Sequence, residues 1–142
     1  MEWIALIAWL LTAVGGFVLL SIWVARGGMQ AAREPGSRIR PALILSHFAL
    51  AATGLVLWII FVATDSNALA WIAFAILLVV AVLGWTMFAI WWRRRQGAAV
   101  TQAVDPGTPA EHHFPVVVVA GHGILAVTTV VLVFLAAIGV GD

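Results

Sequence analysis

Apolar residues fall in long runs along this chain, and polar ones are confined to the short segments between them. Four runs stand out, roughly 3–25, 41–63, 70–92 and 114–140. Each reaches the about 20 residues that a helix needs to cross the hydrocarbon core of a bilayer. Their hydrophobicity is continuous and about twice as long as a barrel strand, so helices are predicted rather than strands. The expected fold is all-α: a four-helix transmembrane up-down-up-down bundle, with residues 1–142 forming a single membrane domain. Length beyond the minimum permits tilt. The first run opens with Met1-Glu2-Trp3, has no basic segment before it and exceeds a secretory apolar core, so it is read as a retained span.

The breaks between runs carry turn chemistry. Gly27-Gly28 and Pro35-Gly36 punctuate the first, which is expected to hold a short surface turn around Met29 to Arg33. Thr64 to Ala68 are too few for anything but a tight turn, which makes the second and third runs antiparallel neighbours. The third break, Gln96 to His113, contains Asp105-Pro106-Gly107 and Pro109 and is expected to be irregular. Pro115 suits the first turn of the fourth helix, where a missing amide proton costs nothing.

Composition agrees with the pattern: 64% of the residues are hydrophobic, 9% are charged, and the mean hydropathy is +1.13. Absences narrow the chemistry further. Without cysteine there are no disulfides, no thioether-attached haem and no thiolate-bound iron–sulfur cluster. Without lysine there is no retinal Schiff base, and tyrosine is missing as well.

The seven basic residues are all arginine: Arg26, Arg33, Arg38 and Arg40 in the first break, and Arg93, Arg94 and Arg95 after the third run. Set against Glu34, Asp105 and Glu111, they leave that side at +4, whereas the opposite side carries Glu2, Asp65 and Asp142 and no base. The positive-inside rule then places both long loops in the cytoplasm and both termini outside, in what is expected to be a bacterial plasma membrane. Trp3, Trp58 and Trp71 are expected near the outer boundary and Trp23, Trp91 and Trp92 near the inner one; Trp9 and Trp85 lie deeper and are expected to pack.

His47 and His122 stand inside the second and fourth runs, the diagonal pair of such a bundle. An ionisable side chain in hydrocarbon is costly and marks a candidate site. His47 is seven residues from Arg40, about 10 Å, and His122 eight from Phe114, about 12 Å, so the two share a depth near the cytoplasmic side. Gly15, Gly16 and Gly84 come to a similar level on the other two helices, Gly121 and Gly123 flank His122, and Gly54 shares the His47 face. Two imidazoles with small residues opposite suit one haem, an axial nitrogen on each face, with no position left for oxygen or substrate. The expected cofactor site is therefore His47 and His122 as metal ligands, lined by these glycines. Each ring needs its other nitrogen hydrogen-bonded, with Ser46, Thr53, Thr86 and Thr129 as candidates, and the propionates would meet Arg38, Arg40 or Arg93.

The competing readings are helix-packing histidines in an accessory or anchor subunit, a quinone or proton site, and a bare metal site, for which two histidines are too few. His112-His113 are adjacent, cannot face one direction on a helix, and are expected as a solvated interfacial pair, with a surface metal contact or a proton relay as the functional options. Transport is disfavoured because the runs hold no interior proline, acid or arginine. No nucleophile–base set for hydrolysis is embedded, and nothing points to nucleic acid. An electron carrier or subunit is expected rather than a stand-alone enzyme.

At Ser46-His47-Phe48 and Gly121-His122-Gly123 the chain resembles small membrane-anchored b-type cytochromes, helical bundles whose histidines on different transmembrane helices hold haem b. The resemblance covers the architecture and these two histidines. It implies electron transport but assigns no partner; membrane lipid is expected around the chain, and a quinone, a respiratory-chain complex and further copies of the chain are the candidate partners. Larger members carry a second histidine pair on the opposite leaflet, which this chain lacks.

Overall fold

The computed structural model describes residues 1–31, 39–98 and 110–141. The chain forms helices α1 (Glu2–Ala25), α2 (Gly28–Ala31), α3 (Pro41–Thr64), α4 (Asn67–Ala98) and α5 (Val116–Ala137), with a 3-10 turn at Ala110–His113. Four of them, α1, α3, α4 and α5, are long and apolar enough to cross a membrane. Large apolar side chains such as Val82, Val117 and Ile124 are exposed around them, as a bundle in contact with lipid requires.

Local chemistry sets the helix ends. Pro41 opens α3 at a position whose amide has no helical partner, with Arg40 extended before it. The helix stops where Asp65 turns left-handed (φ 53°, ψ 25°), and its amide closes onto the Phe61 carbonyl. Ser66 then accepts the amides of Leu69 and Ala70 and starts α4. The connection is as tight as the sequence predicts, and α3 and α4 pack closely along their length. The fourth helix begins one residue after Pro115. Where a short surface turn is expected around Met29 to Arg33, Gly28–Ala31 form one turn of helix, α2; Gly28 starts it against the face of Trp23, where a Cβ has no room. The third run continues as helix through Arg93–Arg95 to Ala98, beyond its expected end at 92, because arginines favour a helix C-terminus. Glu34, Arg33, Arg38, Asp105, Pro106, Gly107, Pro109 and Asp142 lie outside the described residues.

Helices α1/α5 and α3/α4 make the most extensive pairs, and α4/α5 and α1/α3 close the ring, which leaves α3 and α5 on one diagonal. The Met1 amino group meets the Gly141 carbonyl at 3.4 Å, so α1 starts where α5 ends. At that end, the one that also holds Asp65, a core gathers Ala5, Trp9, Trp58, Phe61, Ala73 and Val133. Trp58 is fully buried, its ring 6.4 Å from Trp9 and 4.8 Å from Phe61, and its indole N–H donates to the Glu2 carbonyl at 3.3 Å. Small alanines on the facing helices make room for these rings.

Of the tryptophans expected near the boundaries, Trp3, Trp71 and Trp92 are exposed, while Trp23, Trp58 and Trp91 are buried in protein, and Arg95 caps the Trp91 ring at 5.6 Å. Trp9 packs in the core as expected. Trp85 does not: it is 62% exposed and rests edge-on against Phe88 of its own helix, because its face of α4 points out of the bundle.

Candidate functional site

His47 on α3 and His122 on α5 face each other across the diagonal, with ring centroids 6.4 Å apart and planes inclined at 66°. Each ring is held from behind. Nδ1 of His47 lies 3.0 Å from the Val80 carbonyl on α4, and Nδ1 of His122 lies 3.0 Å from the Thr12 carbonyl on α1. A carbonyl can only accept, so Nδ1 carries the proton in both rings and Nε2 of the neutral ring keeps its lone pair.

These carbonyls already take part in their own helices, and glycine explains why they can accept again. Gly84 is four residues after Val80 and Gly16 four after Thr12, the positions whose side chains would otherwise cover those oxygens. A Cβ on Gly84 would stand 3.2 Å from Cε1 of His47, and one on Gly16 would stand 3.2 Å from Cε1 of His122. Gly15 meets the His122 Cβ and Nδ1 at 3.4 Å by the same measure. The three glycines singled out on α1 and α4 therefore lie directly against the two imidazoles.

The remaining site residues are placed differently. Gly54 is buried two turns from His47, and its missing Cβ makes room for the Trp9 ring, 3.1 Å away. Gly121 and Gly123 have nothing within 4 Å of where a Cβ would stand. Arg40 is exposed at the start of α3, and Arg93 is exposed on α4. The hydroxyls proposed as imidazole partners do not serve: Ser46, Thr53 and Thr86 each donate to the carbonyl four residues back on their own helix. Thr129 does so too, and pairs with the Thr12 hydroxyl at 2.9 Å, tying α5 to α1. The backbone acceptors Thr12 and Val80 escaped the sequence reading, although a glycine four residues beyond each was visible.

The face of α3 that carries His47 is half-buried at Leu43, Ile44, Leu50 and Ala51, then fully buried at Gly54, Trp58 and Phe61. The corresponding face of α5 behaves alike: Val118, Val119, Leu125 and Ala126 are half-buried, and Thr129, Val133 and Ala136 are buried. The bundle is thus tight at the Asp65 end and looser from the histidines toward the arginines. The ring centroids stand 6.4 Å apart, which is close enough for the two imidazoles to reach one metal between them. Among the described residues no three His, Cys, Asp or Glu side chains cluster as a metal site.

The 3-10 turn packs against α1 and α4 at the arginine end. His112 is half-buried and His113 exposed. Glu111, which the sequence offered only as a charge, is 4% exposed, and its Oε1 has no hydrogen-bond partner among the described residues.

No family model matches the chain, and neither the curated proteins nor the solved structures contain a match to it.

Proposed function

We propose that the chain is a membrane electron-transfer protein that holds one b-type haem between His47 and His122, similar in this respect to small membrane-anchored b-type cytochromes. The observation that carries this reading is the pair of Nδ1-anchored imidazoles that stand across the bundle diagonal with ring centroids 6.4 Å apart. His47 and His122 would hold the haem, which would supply one-electron transfer at this site.

The protein's own part is positional. The Val80 and Thr12 carbonyls fix the tautomer and hold each ring so that Nε2 is the free nitrogen. Gly16 and Gly84 let those carbonyls be reached, and the half-buried apolar faces of α3 and α5 exclude water around the rings. Arg40, two turns from His47 at the start of α3, is the base assigned to an acidic edge of the bound group. The clustering of the arginines supports the proposed topology, an up-down-up-down bundle with the two long loops in the cytoplasm and both termini outside; the membrane proposed for it is a bacterial plasma membrane. The electron donor and acceptor are then a quinone or a respiratory complex sharing that membrane.

A reduced-minus-oxidised absorption spectrum of protein purified from haem-supplied cells tests the proposal. Soret and alpha bands are expected, and are expected to vanish in His47→Ala and in His122→Ala. Colourless parent protein would end it. The second reading, an accessory subunit with packing histidines, draws on the same carbonyl bonds, which already tie α3 to α4 and α5 to α1. It predicts lower thermal stability in both alanine variants and no chromophore in the parent.

A further inference from the structure

The two anchoring contacts are copies of one another. Thr12 and Val80 are 68 positions apart, and so are Gly16 and Gly84, Trp3 and Trp71, Ala5 and Ala73, and Trp23 and Trp91. His47 and His122 are 75 apart, and at that spacing the buried positions of α3, Gly54, Trp58 and Phe61, fall on Thr129, Val133 and Ala136, the buried positions of α5. Exchanging α1 with α4 and α3 with α5 maps the extensive pairs α1/α5 and α3/α4 onto each other, and likewise α1/α3 onto α4/α5. The chain is therefore two helix hairpins in a two-fold arrangement, each lending its histidine to a carbonyl of the other.

Departures from this symmetry are informative because the two sides otherwise match. At the level of the histidines the α1/α3 seam is covered by Phe17 and Phe48, edge to face at 5.4 Å. Their counterparts on the α4/α5 seam are Trp85 and Gly123. The Trp85 ring turns away onto Phe88, and nothing stands within 4 Å of where a Gly123 side chain would begin. The residue beside His122 is thus bare where the residue beside His47 carries a phenyl ring.

We infer that the α4/α5 seam is the side on which the paired-histidine site opens to the bilayer, and that a flat, membrane-soluble metal macrocycle enters through it. The identity of the ring rests on the proposed function; the position of the opening rests on the repeat alone. An entering ring has to pass edge-on between two helices, and glycine beside the ligand leaves the clearance that phenylalanine removes on the other side.

The test follows haem transfer from phosphatidylcholine vesicles into the full-length apoprotein by the rise of the Soret band. Gly123→Phe, which copies the closed seam, is expected to slow uptake about tenfold while reaching the same final spectrum. Phe48→Gly is expected to load at least as fast as the parent. Unchanged uptake in Gly123→Phe would overturn the opening and leave the histidine pair standing. Parent protein that takes up no haem would overturn the proposed function, and the seam is then decided in the cysteine-free background. A fluorophore on Val127→Cys, exposed one turn from Gly123 on the same face of α5, leaves Gly123 bare and is expected to be quenched saturably by metal-free protoporphyrin, and one on Val131→Cys, exposed farther along α5, only in proportion to its concentration. Proportional quenching at both positions would overturn the seam as well.

Discussion

The planes of His47 and His122 are inclined at 66°, and this angle is fixed from outside the pair, by the Val80 carbonyl on one helix and the Thr12 carbonyl on another. If the proposed ferric haem is bound, imidazoles crossed so steeply would give a strongly anisotropic low-spin signal, whereas parallel rings would give an ordinary rhombic one. Low-temperature electron paramagnetic resonance of the oxidised protein is expected to show the former. A rhombic spectrum would mean that the rings are not held as described.

Gly16 and Gly84 are expected to be sensitive to a single methyl group. A Cβ 3.2 Å from Cε1 presses on an imidazole whose other side is hydrogen-bonded, so the ring has to swing off its carbonyl. Gly16→Ala and Gly84→Ala should each weaken haem retention about tenfold, in line with the loss of a ligand's supporting contact. Gly15→Ala, where the contact is 3.4 Å, should do less. Haem transfer to excess apomyoglobin measures all three.

Thr12 has two separable functions: its carbonyl holds His122, and its hydroxyl meets Thr129. Thr12→Val keeps the first and removes the second. The absorption spectrum should be unchanged, and stability in detergent should fall by about 0.6 kcal/mol, the typical worth of such a bond between membrane helices. A shifted spectrum would show that the hydroxyl also positions the ring.

Trp58 is the keystone of the tight end, fully buried among Trp9, Phe61 and the Glu2 carbonyl. Trp58→Ala leaves a cavity between α1 and α3 and should cost about 3 kcal/mol. The loss comes from packing rather than from transfer to water, since the unpacked helix still lies in lipid. Thermal unfolding of parent and variant in the same detergent measures it, and Trp58→Phe should recover part of the difference.

The four helices were legible because a run of about 20 apolar residues has one low-energy form in a bilayer. The shared level of His47 and His122 followed from a constant rise per residue, and Gly15, Gly16 and Gly84 from the same count. What stayed hidden concerned direction around the helix axis. Depth does not say that Trp85 points outward, that Gly54 serves Trp9, or that Ser46, Thr53 and Thr86 turn back on their own helices. The imidazole acceptors are backbone atoms and leave no residue type to recognise, only the glycine four places on. The repeat was also present at spacings of 68 and 75, but leucine, valine, isoleucine and alanine replace one another so freely here that few identities mark it. Glu111 was missed for a related reason: an acid beside two histidines near a loop reads as solvated, and its burial comes from tertiary packing of the 3-10 turn.

The pairing of α1 with α5 has a bearing on assembly. The carbonyl that receives His122 belongs to the first of the four long helices, while the histidine itself arrives with the fourth. Neither hairpin presents a finished clamp during synthesis, so any prosthetic group must wait for α5 to settle into place before it can be gripped from both sides.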